Sequence, residues 1–185
     1  MKRLRSFVFA GVLAFVAPLF LSATTTPSAN PAMDDESRIV KKVGHELLML
    51  PYYSIFDDLS YTVNGNTVTL YGDVVRPVLK SDAQNVVKRI EGVEQVVNQV
   101  QVLPLSSFDN SIRWRAMRAI YGYPMLQRYG MGVHPSIHII VDNGHVTLKG
   151  VVDSQADKNV AYLRANGVSG VFSVTNDLQV AANRS

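Results

Sequence analysis

Apolar and polar side chains alternate along Tyr61-Thr62-Val63-Asn64 and again along Thr67-Val68-Thr69-Leu70-Tyr71, on either side of Gly65-Asn66. Period-two alternation across a two-residue turn predicts an antiparallel hairpin with one buried face. The pattern returns around Asn143-Gly144, with Ile137, Ile139, Val141, Val146 and Leu148 on the inward parity. Gly leads the first turn and Asn the second, which predicts type II′ and then type I′, because only certain residues tolerate positive φ. After Gly72 the period lengthens: Leu79, Ala83, Val86, Val87 and Ile90 recur at helical spacing. In the second copy Ser154 is the expected N-cap, and Ala161, Ala165 and Val168 face inward. A last strand follows each helix, with Val96, Asn98, Val100 and Val102 inward, then Val174, Asn176, Leu178 and Val180. An inward Asn must be hydrogen-bonded, and each is expected to tie its strand to a neighbouring loop.

Shifting the chain by 78 positions aligns 61–102 with 139–180 without a gap, and 14 of the 42 pairs are identical. The matches gather at Gly and apolar positions, as in Val68-Thr69-Leu70-x-Gly72 and Val146-Thr147-Leu148-x-Gly150, so the chain is a tandem repeat. A further helix precedes each hairpin. Ile39, Val43, Leu47 and Leu50 line the first, which Asp34 and Asp35 open and Pro51 ends; Asp109 or Ser111 opens its counterpart. The expected architecture is α+β: two α-β-β-α-β units, 34–103 and 109–181, each a three-stranded mixed sheet with two helices on one face. The linker, 104–108, is too short for free tumbling.

Two stretches in each unit, Val63 to Val74 with Gly92 to Val102 and Val141 to Val152 with Gly170 to Val180, carry the patterns V-x-x-G-x-V-T-L-x-G-x-V and G-V-x-x-V-x-N-x-[LV]-x-V. The chain thereby resembles the BON domain family, tandem-BON periplasmic proteins in particular. The first unit departs by placing Asn66 where the turn Gly would stand and Asp73-Val74 after it. The resemblance implies a non-enzymatic module of the cell envelope, with phospholipid-membrane binding as the family's proposed activity and no catalytic residue to carry over.

The amino terminus changes the compartment. Lys2, Arg3 and Arg5 precede an apolar run from Phe7 to Leu21 and a small-polar stretch, the layout of a secretory signal peptide over 1–23 with cleavage between 23 and 32. The run is shorter than a membrane-spanning helix and contains Pro18. Cysteine is absent, so disulfides and thiol chemistry are excluded. Without the three leading cations the formal charge is 15 basic against 15 acidic. Residues 24–105 carry a net −3 and 106–185 a net +3, an asymmetry that bears on partners.

Candidate chemistry is sparse. His134 and His138 are four apart, but Pro135 forbids a helix interior between them, and His138 and His145 read as solvated strand residues. His45 falls on a polar helix face. Asp34-Asp35-Glu36 reads as a helix start and Asp57-Asp58 as a strand opening, with no base–nucleophile pair beside them. No metal, cofactor, small-molecule substrate or nucleic-acid partner is expected. Tyr52, Tyr53 and Phe56 are expected to seat the connection from helix to strand on the sheet edge, a docking surface being the alternative.

The stretch that stands out is SIRWRAMRAIYGYP, 111–124. Ile112, Ala116, Ala119, Ile120 and Tyr123 form a core stripe; Trp114, Arg118 and Tyr121 lie opposite it, flanked by Arg113 and Met117. Trp and Tyr favour the lipid headgroup zone and Arg attracts anionic lipid. These five residues are the candidate surface for anionic phospholipid or an envelope protein. The same stripe equally fits packing against the first unit. The equivalent face of the first helix carries Lys41, His45 and Leu48.

Overall fold

The computed structural model describes residues 31–132 and 134–182; the expected signal peptide lies outside them. Unit 1 runs α1 (Pro31–Leu48), β1 (Asp58–Asn64), β2 (Thr67–Val74), α2 (Pro77–Lys88), β3 (Gln95–Asn98) and β4 (Gln101–Val102). Unit 2 repeats it as α3 (Ser107–Tyr121), β5 (Ile137–Asp142), β6 (His145–Val152), α4 (Gln155–Asn166), β7 (Ser173–Asn176) and β8 (Gln179–Val180). A short 3-10 turn, Gln127–Gly130, is inserted after α3.

The fold is α+β with two mixed sheets. β2 is central in the first, antiparallel to β1 and parallel to β3 and β4; β6 occupies the same place in the second. Both helices of a unit cover one face. Ile39, Val43 and Leu47 of α1 and Leu79, Ala83 and Val87 of α2 close over Val68, Leu70 and Val74 of β2. In unit 2, Ile112, Ala116 and Ile120 of α3 and Ala161 and Ala165 of α4 close over Ile139, Val146 and Leu148.

The hairpin turns have the expected signs of φ: +56° at Gly65 in the first, and +49° and +80° at Asn143 and Gly144 in the second. Gly72 and Gly150 are required for another reason. Each has φ near +115°, and a Cβ there would overlap the carbonyl of Asp58 or Ser136 across the hairpin.

The last strand departs from expectation because it is broken. Asn98 Oδ1 accepts the N–H of Val100 at 3.1 Å, and Gln99 N donates to Leu70 O at 2.8 Å. This turns Val100 into the core and ends the alternation, so Val102 and Val180, expected inward, are exposed. The inward asparagines tie the strand to a helix instead of a loop: Asn98 Nδ2 donates to Lys80 O and Asn176 Nδ2 to Lys158 O, each at 2.8 Å. The same bond is thus made twice, 78 residues apart.

Helix starts also differ. α1 begins at Pro31, ahead of Asp34. α3 is capped by Ser106, whose Oγ accepts from Asp109 N at 3.1 Å, which leaves Asp109 inside the first turn. The buried Asp109 carboxylate reaches across to the β5–β6 turn and accepts from Asn143 N at 3.1 Å and Gly144 N at 2.8 Å. It satisfies two turn amides that the strand ladder leaves without a partner.

Candidate docking surface

Alternate residues of β5 turn their backbone groups away from β6, toward the sheet edge. An exposed edge of unpaired groups invites pairing with another chain. Here the edge is closed. The Tyr121 hydroxyl donates to Ile137 O, Ile139 N donates to Ile55 O of unit 1 at 2.7 Å, and Arg113 Nη2 donates to Val141 O at 2.6 Å. Two of the five candidate residues are therefore edge caps. Arg113 is only 2% exposed, a correction to its place beside a docking stripe. Burial pulls its guanidinium down from its ordinary value, against the opposing charges of Asp109, Asp57 and Asp142. Burial likewise pushes the Tyr121 hydroxyl well above the ordinary tyrosine range.

Trp114 is 46% exposed and forms a T-shaped pair with the Phe56 ring, with centroids 5.4 Å apart. Arg118, four residues on, is exposed and forms no ion pair with any described residue. Met117 and Tyr121 line an apolar cleft of about 390 Å³ with Ile55, Gly130, Met131 and Pro135. The structure thus brings Trp114 and Arg118 to one flank and Met117 and Tyr121 to the cleft beside it.

The segment before β1 does more than seat a connection within unit 1. Ile55 and Phe56 pack on the unit 2 core, while Tyr53 packs on the unit 1 core and lies 5.7 Å, centroid to centroid, from His138. His138 is only partly exposed, and its Nδ1 sits 2.6 Å from Asp57 O, so it is a seam residue and not a freely solvated one. His145 is exposed and bonds Ser173 Oγ at 2.7 Å. Asp57 is a buried acceptor, bonded by Ser54 N, Ser54 Oγ and Val75 N. Tyr52 alone of the cluster stays outside, at φ +68°, under the Arg76 guanidinium.

Charge completes the seam. Lys149 of β6 donates to Asp58 at 2.8 Å and lies 3.7 Å from Asp73, so a cation of unit 2 bridges two carboxylates of unit 1. The opposite charges of the two halves meet here. Ile140, on the sheet face away from the helices, is buried and lines a cleft with Leu103, Pro104 and Asp73. Nothing in the periodicity marked Ile55 or Phe56 for this role; only the surplus of aromatic residues near Pro51 hinted at a contact.

Among the described residues no group of three or more His, Asp or Glu is placed to hold a metal ion. Nor is any helix among them long and apolar enough to cross a membrane.

Comparison with known proteins adds a family. The BON domain model matches residues 35–104 and 131–182, leaving out the whole of α3. The Osmotically-inducible protein Y of Escherichia coli (strain K12) is 30% identical over 170 residues, covering 84% of this chain and 83% of that protein. Among solved structures, CdsD, a structural protein of the type III secretion system of Chlamydia trachomatis, is similar at 13% identity and a TM-score of 0.31, over 80% of this chain and 94% of that one. The C-terminal domain of CdsD is similar at 12% identity and a TM-score of 0.28, over 78% and 98%.

Proposed function

Since this chain belongs to the BON domain family, we propose that it is a non-catalytic, periplasmic module of the cell envelope that docks on anionic phospholipid through the exposed flank of α3. The observation that carries this reading is the pairing of a half-exposed Trp114 with an unpaired Arg118 one helical turn away, beside an apolar cleft with Met131 at its mouth. Indole favours the headgroup zone, and a guanidinium near an anionic surface contributes about 1 kcal/mol. Arg113 and Tyr121 serve the site by holding α3 against β5. The signal-peptide pattern at the amino terminus supports the location. The relative's name speaks of osmotic induction in that protein, and we extend a stress-related envelope role to this one.

A second reading rests on Phe56. Its ring already occupies one side of Trp114, so the same flank is chemically able to receive an aromatic residue of an envelope protein.

Sedimentation with vesicles tests the first reading. The mature protein should pellet with phosphatidylglycerol or cardiolipin vesicles, less so as salt rises, and not with phosphatidylcholine. Arg118→Glu, on an exposed position, should abolish pelleting without changing the melting temperature. Absence of pelleting at low ionic strength would sink it.

A further inference from the structure

Unit 2 differs from unit 1, on an unchanged backbone, where the hairpin turn meets the turn before the third strand. In unit 1 these turns join through polar groups: Glu94 N donates to Asn66 O at 2.9 Å, and Asn66 Nδ2 donates to Glu94 Oε1 at 3.0 Å. The backbone bond recurs 78 positions on, from Phe172 N to Gly144 O at 2.9 Å, but the side chains do not. Phe172 stands in place of Glu94 and Gly144 in place of Asn66. The Phe172 ring lies so close over Gly144 that a Cβ there would come within 2.6 Å of it. It also pairs with Phe108 of α3, with centroids 5.9 Å apart. These rings are not core. Phe172 is 69% exposed, Phe108 44%, and Leu105, in the linker just before, 91%.

The charge differs at the same place. Beside Gly92, the Arg38 guanidinium is paired with Asp35 at 3.2 Å and Glu91 at 3.6 Å. Arg115 holds the equivalent position beside Gly170, its Nη2 3.3 Å from where a Cβ would stand, against 3.5 Å for Arg38 at Gly92. Ser169, however, stands where unit 1 has Glu91. Arg115 forms no ion pair with any described residue, and its Nε has no hydrogen-bond partner. Asp142, the carboxylate nearest in sequence to the hairpin turn, lines the cleft with Asp73 on the other face of the sheet. Unit 2 thus has a serine and a phenyl ring where unit 1 has two carboxylates, and an arginine without a counter-charge.

Resting on the phospholipid reading above, we propose that this end of unit 2 is a membrane wedge. Leu105, Phe108 and Phe172 enter the acyl boundary of an anionic bilayer, and Arg115 meets a lipid phosphate above them. Exposed apolar rings beside an uncompensated cation match that surface in both chemistry and charge. The position on α3 agrees. At about 100° per residue, Phe108, Arg115, Ser111, Arg118 and Trp114 occupy one arc of about 120°, so a flat surface that meets Trp114 and Arg118 also meets the rings. A protein partner is less well served. Covered completely, three such side chains supply a few hundred Å², against about 800 Å² per partner in a stable interface.

The chain has no cysteine, so Leu105→Cys supplies a single thiol for an environment-sensitive nitrobenzoxadiazole label. On phosphatidylglycerol vesicles the label should brighten, shift to the blue and become shielded from iodide; with phosphatidylcholine it should not. Phe172→Ser should weaken vesicle binding about tenfold. Ser169→Glu, which restores the unit 1 carboxylate beside Arg115, should weaken it about fivefold. Both positions are exposed, so both variants should melt close to the parent. Pelleting of the labelled protein without shielding overturns the wedge and leaves the α3 flank standing, as does full binding in either variant. Absence of pelleting overturns both. Reversible self-association of the parent that Phe172→Ser abolishes also overturns the wedge, by assigning the rings to a second copy of the chain.

Discussion

Lys149→Met measures how much charge holds the two units together. Asp58 and Asp73 face each other across the β1–β2 ladder, a like-charge pair that by itself destabilises a hairpin by about 0.2–1 kcal/mol. Lys149 reaches both, at 2.8 and 3.7 Å. A hydrogen bond between charged groups contributes about 1.5–3 kcal/mol. Because the Lys149 side chain is 29% exposed, solvent screening trims the sum to about 2 kcal/mol. Burial pulls the Lys149 ammonium down, but the hydrogen bond and charge of Asp58, with Asp73 and Asp177 adding, leave it above its ordinary value. A raised folded value means that this contribution is in place below the ordinary lysine range and is lost as pH climbs through the folded value. Urea unfolding followed by Trp114 fluorescence is the assay, since the chain's one Trp sits at the seam. Lys149→Met should lose about 2 kcal/mol at neutral pH, and appreciably less when Asp58→Asn is already present, because the pair is coupled. Full additivity of the two substitutions, or a Lys149→Met protein as stable as its parent, would refute the reasoning.

Two further outcomes follow from buried groups. Asp109→Ala strands two turn amides and takes a counter-charge from Arg113, so urea unfolding should show a loss of about 3–5 kcal/mol; Asp109→Asn, which keeps one acceptor oxygen, should lose less. Burial lifts the Tyr53 hydroxyl to about 12 and Tyr121 further, so the folded chain holds both protons where the unfolded chain releases them. Stability should therefore fall above the ordinary tyrosine range, near pH 10. Tyrosinate absorbance should show three of the eight tyrosines, Tyr53, Tyr121 and Tyr129, whose hydroxyl burial also raises, titrating after the other five.

Within a unit, the fold was legible because its determinants are local. Gly65-Asn66 and Asn143-Gly144 set the turns, Ser154 caps α4, and the parity of Val68 and Leu70 set the buried face. The broken last strand was not legible, because it depends on Asn98 using its own side chain to bond Val100. Periodicity cannot show that choice. The candidate surface was half legible for a similar reason. A helical wheel separates core from solvent around one axis, so it left Arg113 outside, whereas the β5 edge lies at the flank and draws both Arg113 and Tyr121 toward it. The reach of Phe56 to Trp114 spans 58 residues and two units, and no pattern in either stretch encodes it. The opposite charges of the two halves were visible, but only the structure shows Lys149 as the point where they meet.

The closed edge of β5 has a consequence for how the chain is made. Synthesis is directional, so residues 54–57 exist before 137–142 are added. The first unit can fold as the second emerges, since domains generally form in order from the amino terminus. When β5 appears, the segment that covers its edge is already displayed on a finished neighbour a few residues of linker away. The hazardous strand therefore meets its cover at high local concentration before it meets another chain. Exchanging the order of the two units would lose that head start.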